Sequence, residues 1–230
     1  MPIDLNIAIS DSKDIDSILA MGMKLGFRGI AVSLPNNQQI ENPNEGIRVF
    51  SRYNIHEKSL GAAKRELKQN RSKFSVVAFS LGPVNLSNWA AEETGVDLLT
   101  VAEPLEDCSL RDSTAKLAAS TGTALELPVF PLLQCSGLAR SKILKVYRET
   151  AKSAMDAGMR IIISSGCKEP ICMRAPMAMS NVGTLIGLDR IQSTEAVFRF
   201  PRDIVEANLR KSRPELLGVG MELIRRGETK

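Results

Sequence analysis

In R-I-I-I-S-S-G-C-K-E-P, residues 160–170, an apolar run breaks into two hydroxyls, a glycine, a cysteine and a lysine. Ligand sites of strand–helix proteins lie where strands end. The stretch therefore offers Ser164, Ser165, Cys167 and Lys168 to a ligand, with no histidine and no acid before Glu169. The chain has a single histidine, His56, and four cysteines, at 108, 135, 167 and 172. A structural zinc site needs four Cys or His ligands at tight spacing. No CxxC pair is present, so packed, reduced thiols are expected. Glu57, Glu103 and His56 are the candidates for acid–base work, but their spacing does not make them a set. A lone histidine at a strand end is expected to be packed and hydrogen-bonded. Glu126, inside A-L-E-L-P, is expected to face inward and to pair with a buried cation or a backbone donor.

Charge is segregated along the chain. Residues 48–73 carry eight basic and two acidic side chains, and residues 134–174 carry eight and three. Residues 74–133 carry two and eight. Blocks of one sign can assemble a basic surface suited to a polyanion, or can be solvated helix faces. Aromatic residues are 4% of the chain, with one tryptophan. Stacking on single-stranded bases is poorly supplied, which favours contacts to phosphate and sugar. No basic leader precedes an apolar stretch, so a cytoplasmic protein with no membrane association is expected.

These residues need strands and helices to position them. Apolar runs predict strands over Ile3–Ile9, Gly29–Leu34, Arg52–His56, Ser75–Ser80, Leu98–Ala102, Ala124–Pro128 and Arg160–Ser164. A first helix is expected after the caps Ser10 and Asp11, ending at Gly26. Others are expected over Leu60–Arg71, Ser87–Gly95, Leu110–Thr121 and Arg140–Gly158. Strand–helix repeats imply a parallel sheet. The absence of GxGxxG after the first strand favours a closed barrel over a dinucleotide fold. Beyond Ala175 only helices are expected: Pro176–Leu188, Thr194–Phe198, Pro201–Lys211 and Pro214–Arg226. The expected fold is one α/β domain over residues 1–230, a distorted TIM-type barrel without a clear eighth strand, closed by C-terminal helices over 175–230.

The segments D-L-L-T-V-A-E-P, T-A-L-E-L-P-V, G-L-A-R-S-K-I-L-K-V-Y, R-I-I-I-S-S-G-C-K-E-P and M-R-A-P-M-A-M-S-N-V-G-T-L-I-G-L occur in that order. Together they resemble the protein component 3 family of archaeal ribonuclease P, counterpart of the eukaryal thirty-kilodalton subunit. Such proteins look like the PHP barrels (polymerase and histidinol phosphatase), which are metal-dependent phosphoesterases. In those enzymes a first-strand D-L-H-x-H motif and a late S-D-A-H motif supply metal ligands. Here the matching positions hold Asn6, Ala8, Gly166 and Lys168. An amide, a methyl, a glycine and an ammonium cannot rebuild a two- or three-metal site.

The resemblance implies a non-catalytic subunit of an endoribonuclease that removes the 5′ leader of precursor tRNA. It implies no cofactor in this chain, with Mg²⁺ held by the RNA subunit. The implied partners are the ribonuclease P RNA, precursor tRNA within the complex, protein component 2 and other protein subunits. Candidate RNA contacts are Arg140 and Lys142, Lys168 and Arg174, and the cluster Lys64, Arg65, Lys68 and Arg71. Against each stands a local role: Arg140 bonding nearby carbonyls, Arg174 in a buried ion pair, Lys168 pairing with Glu103 or Glu126. The competing functions are a self-sufficient PHP-type phosphoesterase and a Schiff-base lyase. The lyase needs a lysine inside a strand, and the predicted strands contain none.

Overall fold

The computed structural model describes residues 1–9, 14–34, 46–104 and 110–211, and the backbone of 216–218 and 221–222. Seven strands form one sheet in sequence order: β1 (Ile3–Ala8), β2 (Gly29–Ser33), β3 (Arg48–Ile55), β4 (Val76–Ser80), β5 (Leu98–Thr100), β6 (Ala124–Pro128) and β7 (Ile161–Ser164). Every pair is parallel. These strands read as near-continuous apolar runs because both of their faces are buried. The sheet curls until its two edges meet. Ala8 donates its N–H to the Cys167 carbonyl at 2.9 Å, and Gly166 donates to the Asn6 carbonyl at 2.9 Å. Among the described residues the barrel thus closes on seven strands, as expected, with the turn after β7 taking the place of an eighth.

Between strands run α1 (Ile15–Leu25), α2 (Leu60–Asn70), α3 (Val84–Glu92), α4 (Asp112–Thr121), α5 (Phe130–Gln134) and α6 (Gly137–Asp156). They pack Ala63, Leu67, Leu86, Ala90, Ala115, Ala118 and Tyr147 onto the outward strand residues Val77, Phe79, Leu99, Leu125 and Ile163. Alternate strand residues point inward, where Ile3, Leu5, Ala31, Phe50, Val76, Ala78, Leu98, Ala124 and Ile162 form a second core. Ile204 and Val205 complete that inner core. They come from α9 (Phe200–Lys211), which follows α7 (Pro176–Leu185) and α8 (Arg190–Phe198). Helix α9 therefore plugs the N-terminal mouth of the barrel. Asn208 on α9 fixes the plug by donating to the Ser75 carbonyl and to Asp97, each at 2.9 Å.

Some boundaries differ from expectation. Helix α8 starts at Arg190, because Asp189 and Gln192 form a reciprocal capping box that sets its start. Strand β3 starts at Arg48, four residues early. A helix was expected over Pro214–Arg226, but Leu216–Gly218 (β8) and Met221–Glu222 (β9) pair antiparallel instead. Gly218 and Gly220 each weaken a helix by about 1 kcal/mol, which removes the case for one. The predicted caps Ser10 and Asp11, and Cys108, lie outside the described residues.

The seam rests on Gly166. Its φ is +63°, and an added Cβ would stand 2.6 Å from Cβ of Pro128. Left-handed backbone costs a side-chain-bearing residue about 1–2 kcal/mol, and the overlap adds to that. Gly166→Ala should therefore lower thermal stability by at least about 2 kcal/mol. A melt within about 0.5 kcal/mol of the parent would show that the seam can give way.

Candidate nucleic-acid interface and the barrel mouth

Above the inner apolar core the barrel turns polar. Arg52 on β3 is 2% exposed and Glu126 on β6 is 0% exposed. They face each other across the interior in a two-point pair, Nη1 to Oε1 at 2.7 Å and Nη2 to Oε2 at 2.6 Å. Arg52 also donates to the Leu5 carbonyl, to Asn54 Oδ1 and to Thr100 Oγ1. Its five N–H groups are all engaged. Glu126 accepts further bonds from Thr100 at 2.6 Å and Asn6 at 3.3 Å. Burial alone would raise the Glu126 pKa. The Arg52 charge and the hydrogen bonds outweigh it, and the carboxyl sits below its ordinary range. The inward acid paired with a buried cation is found where it was expected. Its partner, Arg52, was not identified from the sequence.

The four positions matched to metal-ligand motifs come together at the seam. Asn6 and Ala8 on β1 bond to the backbone of Gly166 and Cys167, and Lys168 follows, exposed. The Asn6 amide is spent on Glu126. Asp4 is buried, accepting the N–H groups of Ser165 at 3.0 Å and Asn6 at 3.2 Å. Burial pushes its carboxyl up to about 6. Burial likewise pushes the Cys167 thiol up to about 12, so it is no ready thiolate ligand. His56 Nδ1 is engaged by Ser80 Oγ at 2.7 Å. Among the described residues, no three His, Cys, Asp or Glu side chains gather as a metal ion would require. The donors present do not fit the metal centre of a PHP enzyme.

The eight candidate RNA-binding cations fall on two arcs of the barrel. Arg140 and Lys142 start α6 after β6, and Lys168 and Arg174 follow β7. All four are exposed and belong to the arc formed by adjacent strands β6, β7 and β1. Arg140 donates to the Cys135 carbonyl at 2.8 Å. Arg174 is exposed and bonds the carbonyls of Ile171 and Met173, so the buried ion pair weighed for it is not found. Glu126, one candidate mate for Lys168, is claimed by Arg52. Lys64, Arg65 and Lys68 lie exposed on α2, over the β3–β4 arc. Arg71 differs from these: it bonds Asp97 at 3.1 Å, within the network that Asn208 joins beneath the barrel. Among the described residues, no helix is long and apolar enough to cross a membrane.

A cavity of about 710 Å³ opens at the C-terminal ends of β3, β4 and β5. It is lined by His56, Glu57, Lys58, Ser80 and Glu103 above an apolar wall that includes Phe79 and Leu86. Desolvation of the His56 ring, and then the Arg52 charge, lower its pKa, against a smaller opposing effect of Glu103. The acid–base candidates His56, Glu57 and Glu103 thus do meet in space, in a pocket that spacing alone did not reveal.

Comparison with known proteins gives these features a context. Ribonuclease P protein component 3 of Methanosarcina barkeri is 25% identical over 227 residues, covering 96% of this chain and 94% of its own. A chain in the cryo-electron microscopy structure of archaeal ribonuclease P with mature tRNA superposes with a TM-score of 0.82. It is 19% identical and covers 98% of this chain and 100% of its own. Histidinol phosphate phosphatase from Lactococcus lactis, complexed with zinc, L-histidinol and phosphate, gives a TM-score of 0.53 at 13% identity. That match covers 80% of this chain and 92% of the phosphatase. At these identities the two structures establish a shared barrel fold. The model of the family described as RNase P subunit p30 matches residues 1–213, and the chain belongs to that family.

Proposed function

We propose that this chain is a protein subunit of ribonuclease P, which supports a catalytic RNA in removing the 5′ leader of precursor tRNA. The whole-chain family match carries the proposal. The barrel mouth agrees with it: where a PHP enzyme needs metal ligands, this chain has a hydrogen-bonded seam and a closed ion pair. No cofactor is assigned to this chain, and the Mg²⁺ of the holoenzyme is assigned to the RNA.

Exposed cations with few aromatics for stacking suit phosphate on folded RNA. We assign RNA contacts to Arg140, Lys142, Lys168 and Arg174 on one arc and to Lys64, Arg65 and Lys68 on the other. Arg71 is the weakest member of the set, being held by Asp97. Protein component 2 is the assigned protein partner. Uncovered apolar side chains beside the first group, Leu138 and Ile171 at 73% exposure and Met177 at 63%, support a protein contact there.

Lys168 provides the test. It is exposed, so Lys168→Ala should melt within about 0.5 kcal/mol of the parent. Loss of one phosphate contact should reduce the log–log salt slope for ribonuclease P RNA by about one, whatever the RNA sequence. An unchanged slope removes Lys168 from the interface. Stoichiometric metal in the isolated chain, with phosphoester turnover, would sink the subunit reading.

A further inference from the structure

Because the seven strands are hydrogen-bonded in sequence order, position along the chain becomes position around the barrel. The charge blocks of the sequence therefore become sectors of the surface. Helix α2 connects β3 to β4, whereas α6, Lys168 and Arg174 flank β7 on its two sides. The way from the β3–β4 gap to β7 crosses β4, β5 and β6 in one direction, and β3, β2 and β1 in the other. Each route takes three strands. The two basic sectors stand on opposite sides of the barrel.

Both routes cross acidic ground. Residues 74–133, which include β4, β5 and β6, carry two basic and eight acidic side chains. Glu92 on α3 and Asp112 on α4 are exposed there. Residues 1–47, which include β1 and β2, carry three basic and six acidic side chains. Asp14 and Asp16 are exposed at the start of α1. In the α2 sector the two acids, Glu57 and Glu66, are half-buried, while Lys64, Arg65 and Lys68 are exposed. Helix axes on opposite sides of such a barrel stand roughly 35 Å apart. A nucleic-acid duplex is stiff over about 150 base pairs, so it cannot curl round so small a body from one sector to the other.

We propose that the barrel bridges two separate RNA segments. Lys64, Arg65 and Lys68 hold the backbone of one, and Lys142, Lys168 and Arg174 hold the backbone of the other. That the polyanion is RNA rests on the subunit reading; that there are two places for it rests on the charge sectors. Two RNA helices repel each other through their phosphates. A body with cations on opposite faces and acid between them neutralises both and sets their spacing at its own width.

Two RNA hairpins of unrelated sequence, one with a donor dye and one with an acceptor, test this with the full chain. Titration should give two hairpins per chain, and sedimentation should find one chain in the bridged complex. Energy transfer should rise with protein and fall again in excess, as the hairpins separate onto different chains. Lys64→Gln/Arg65→Gln/Lys68→Gln and Lys142→Gln/Lys168→Gln/Arg174→Gln should each bind one hairpin, with no energy transfer. Both variants should melt like the parent, because every replaced residue is exposed.

The two segments come either from ribonuclease P RNA alone or from that RNA and precursor tRNA. Backbone footprints of the parent and the α2 variant, with and without precursor tRNA, separate these sources. Protection lost from ribonuclease P RNA assigns both segments to it, and loss confined to precursor tRNA assigns one segment to the substrate. No hairpin bound, one hairpin per chain, or two chains in the bridged complex overturns the bridge. Protection of ribonuclease P RNA in that case leaves the subunit reading standing. A chain that bridges hairpins yet protects no ribonuclease P RNA refutes the subunit reading and keeps the bridge.

Discussion

Arg52→Met should destabilise the protein by about 3–5 kcal/mol, the usual consequence of stranding a buried charge. Glu126 would remain fully buried, with neutral donors such as Thr100 and Asn6 left to hydrogen-bond its carboxylate. Against a typical total stability of about 5–15 kcal/mol, that loss would leave a marginal fold. The double variant Arg52→Met/Glu126→Leu removes both charges at once and should recover at least half of the loss, because paired burial gives little net stability. Thermal or urea melts of the three proteins would settle the point. A single variant within about 1 kcal/mol of the parent would mean that water reaches Glu126 and that the interior is not dry. The depressed Glu126 pKa adds a direction in pH. The pair's contribution is present above the unfolded carboxylate pKa and is lost as pH falls through the lower folded value.

Asp4→Asn should stabilise the protein at neutral pH. Desolvation raises the Asp4 carboxyl to about 6 from an ordinary 3.8. One of its oxygens accepts two backbone N–H groups, and the other has no hydrogen-bond partner. A raised folded pKa means that this contribution is present below pH 3.8 and is lost as pH rises through 6. The full swing is about 3 kcal/mol. Asparagine keeps the accepting oxygen and carries no charge, so it should remove the loss. The gain at pH 7.5 should be about 1–3 kcal/mol, since the new amide also needs a partner. Stability measured across pH 4 to 8 should fall for the parent and stay flatter for the variant. A variant less stable than the parent at every pH would show that the carboxylate is wanted in its ionised form.

Much of this architecture was legible in the sequence, for a simple reason. Strands buried on both faces advertise themselves as apolar runs, and V-V-A-F-S or I-I-I-S can be little else. Where polar residues interrupt a strand the signal fails. Arg48 and Ser51 made the first half of β3 look like a loop. The tail failed differently, since the helical pattern over 214–226 overrode two glycines. Glu126 could be suspected from its apolar neighbours, but its partner lies 74 residues away and only closure of the barrel brings the two together. The same holds for His56 and Ser80, side by side although 24 residues apart. The basic stretches were visible as composition. Their division into two arcs, and the commitment of Arg71 to Asp97, follow from helix facing that charge counts do not contain.

The seam between the first strand and the turn after the seventh has a kinetic consequence. Ser165 bonds to Asp4 and Asn6 across 161 and 159 residues of sequence. The contacts that close the barrel are therefore among the last that a growing chain can make. Until residue 167 has left the ribosome, β1 is an unpaired edge, open to pairing with another chain. The inner core waits longer still, because Ile204 and Val205 arrive last. Such long-range closure predicts slow refolding after dilution from denaturant. It also predicts that truncation before α9 yields an aggregating barrel rather than a smaller one.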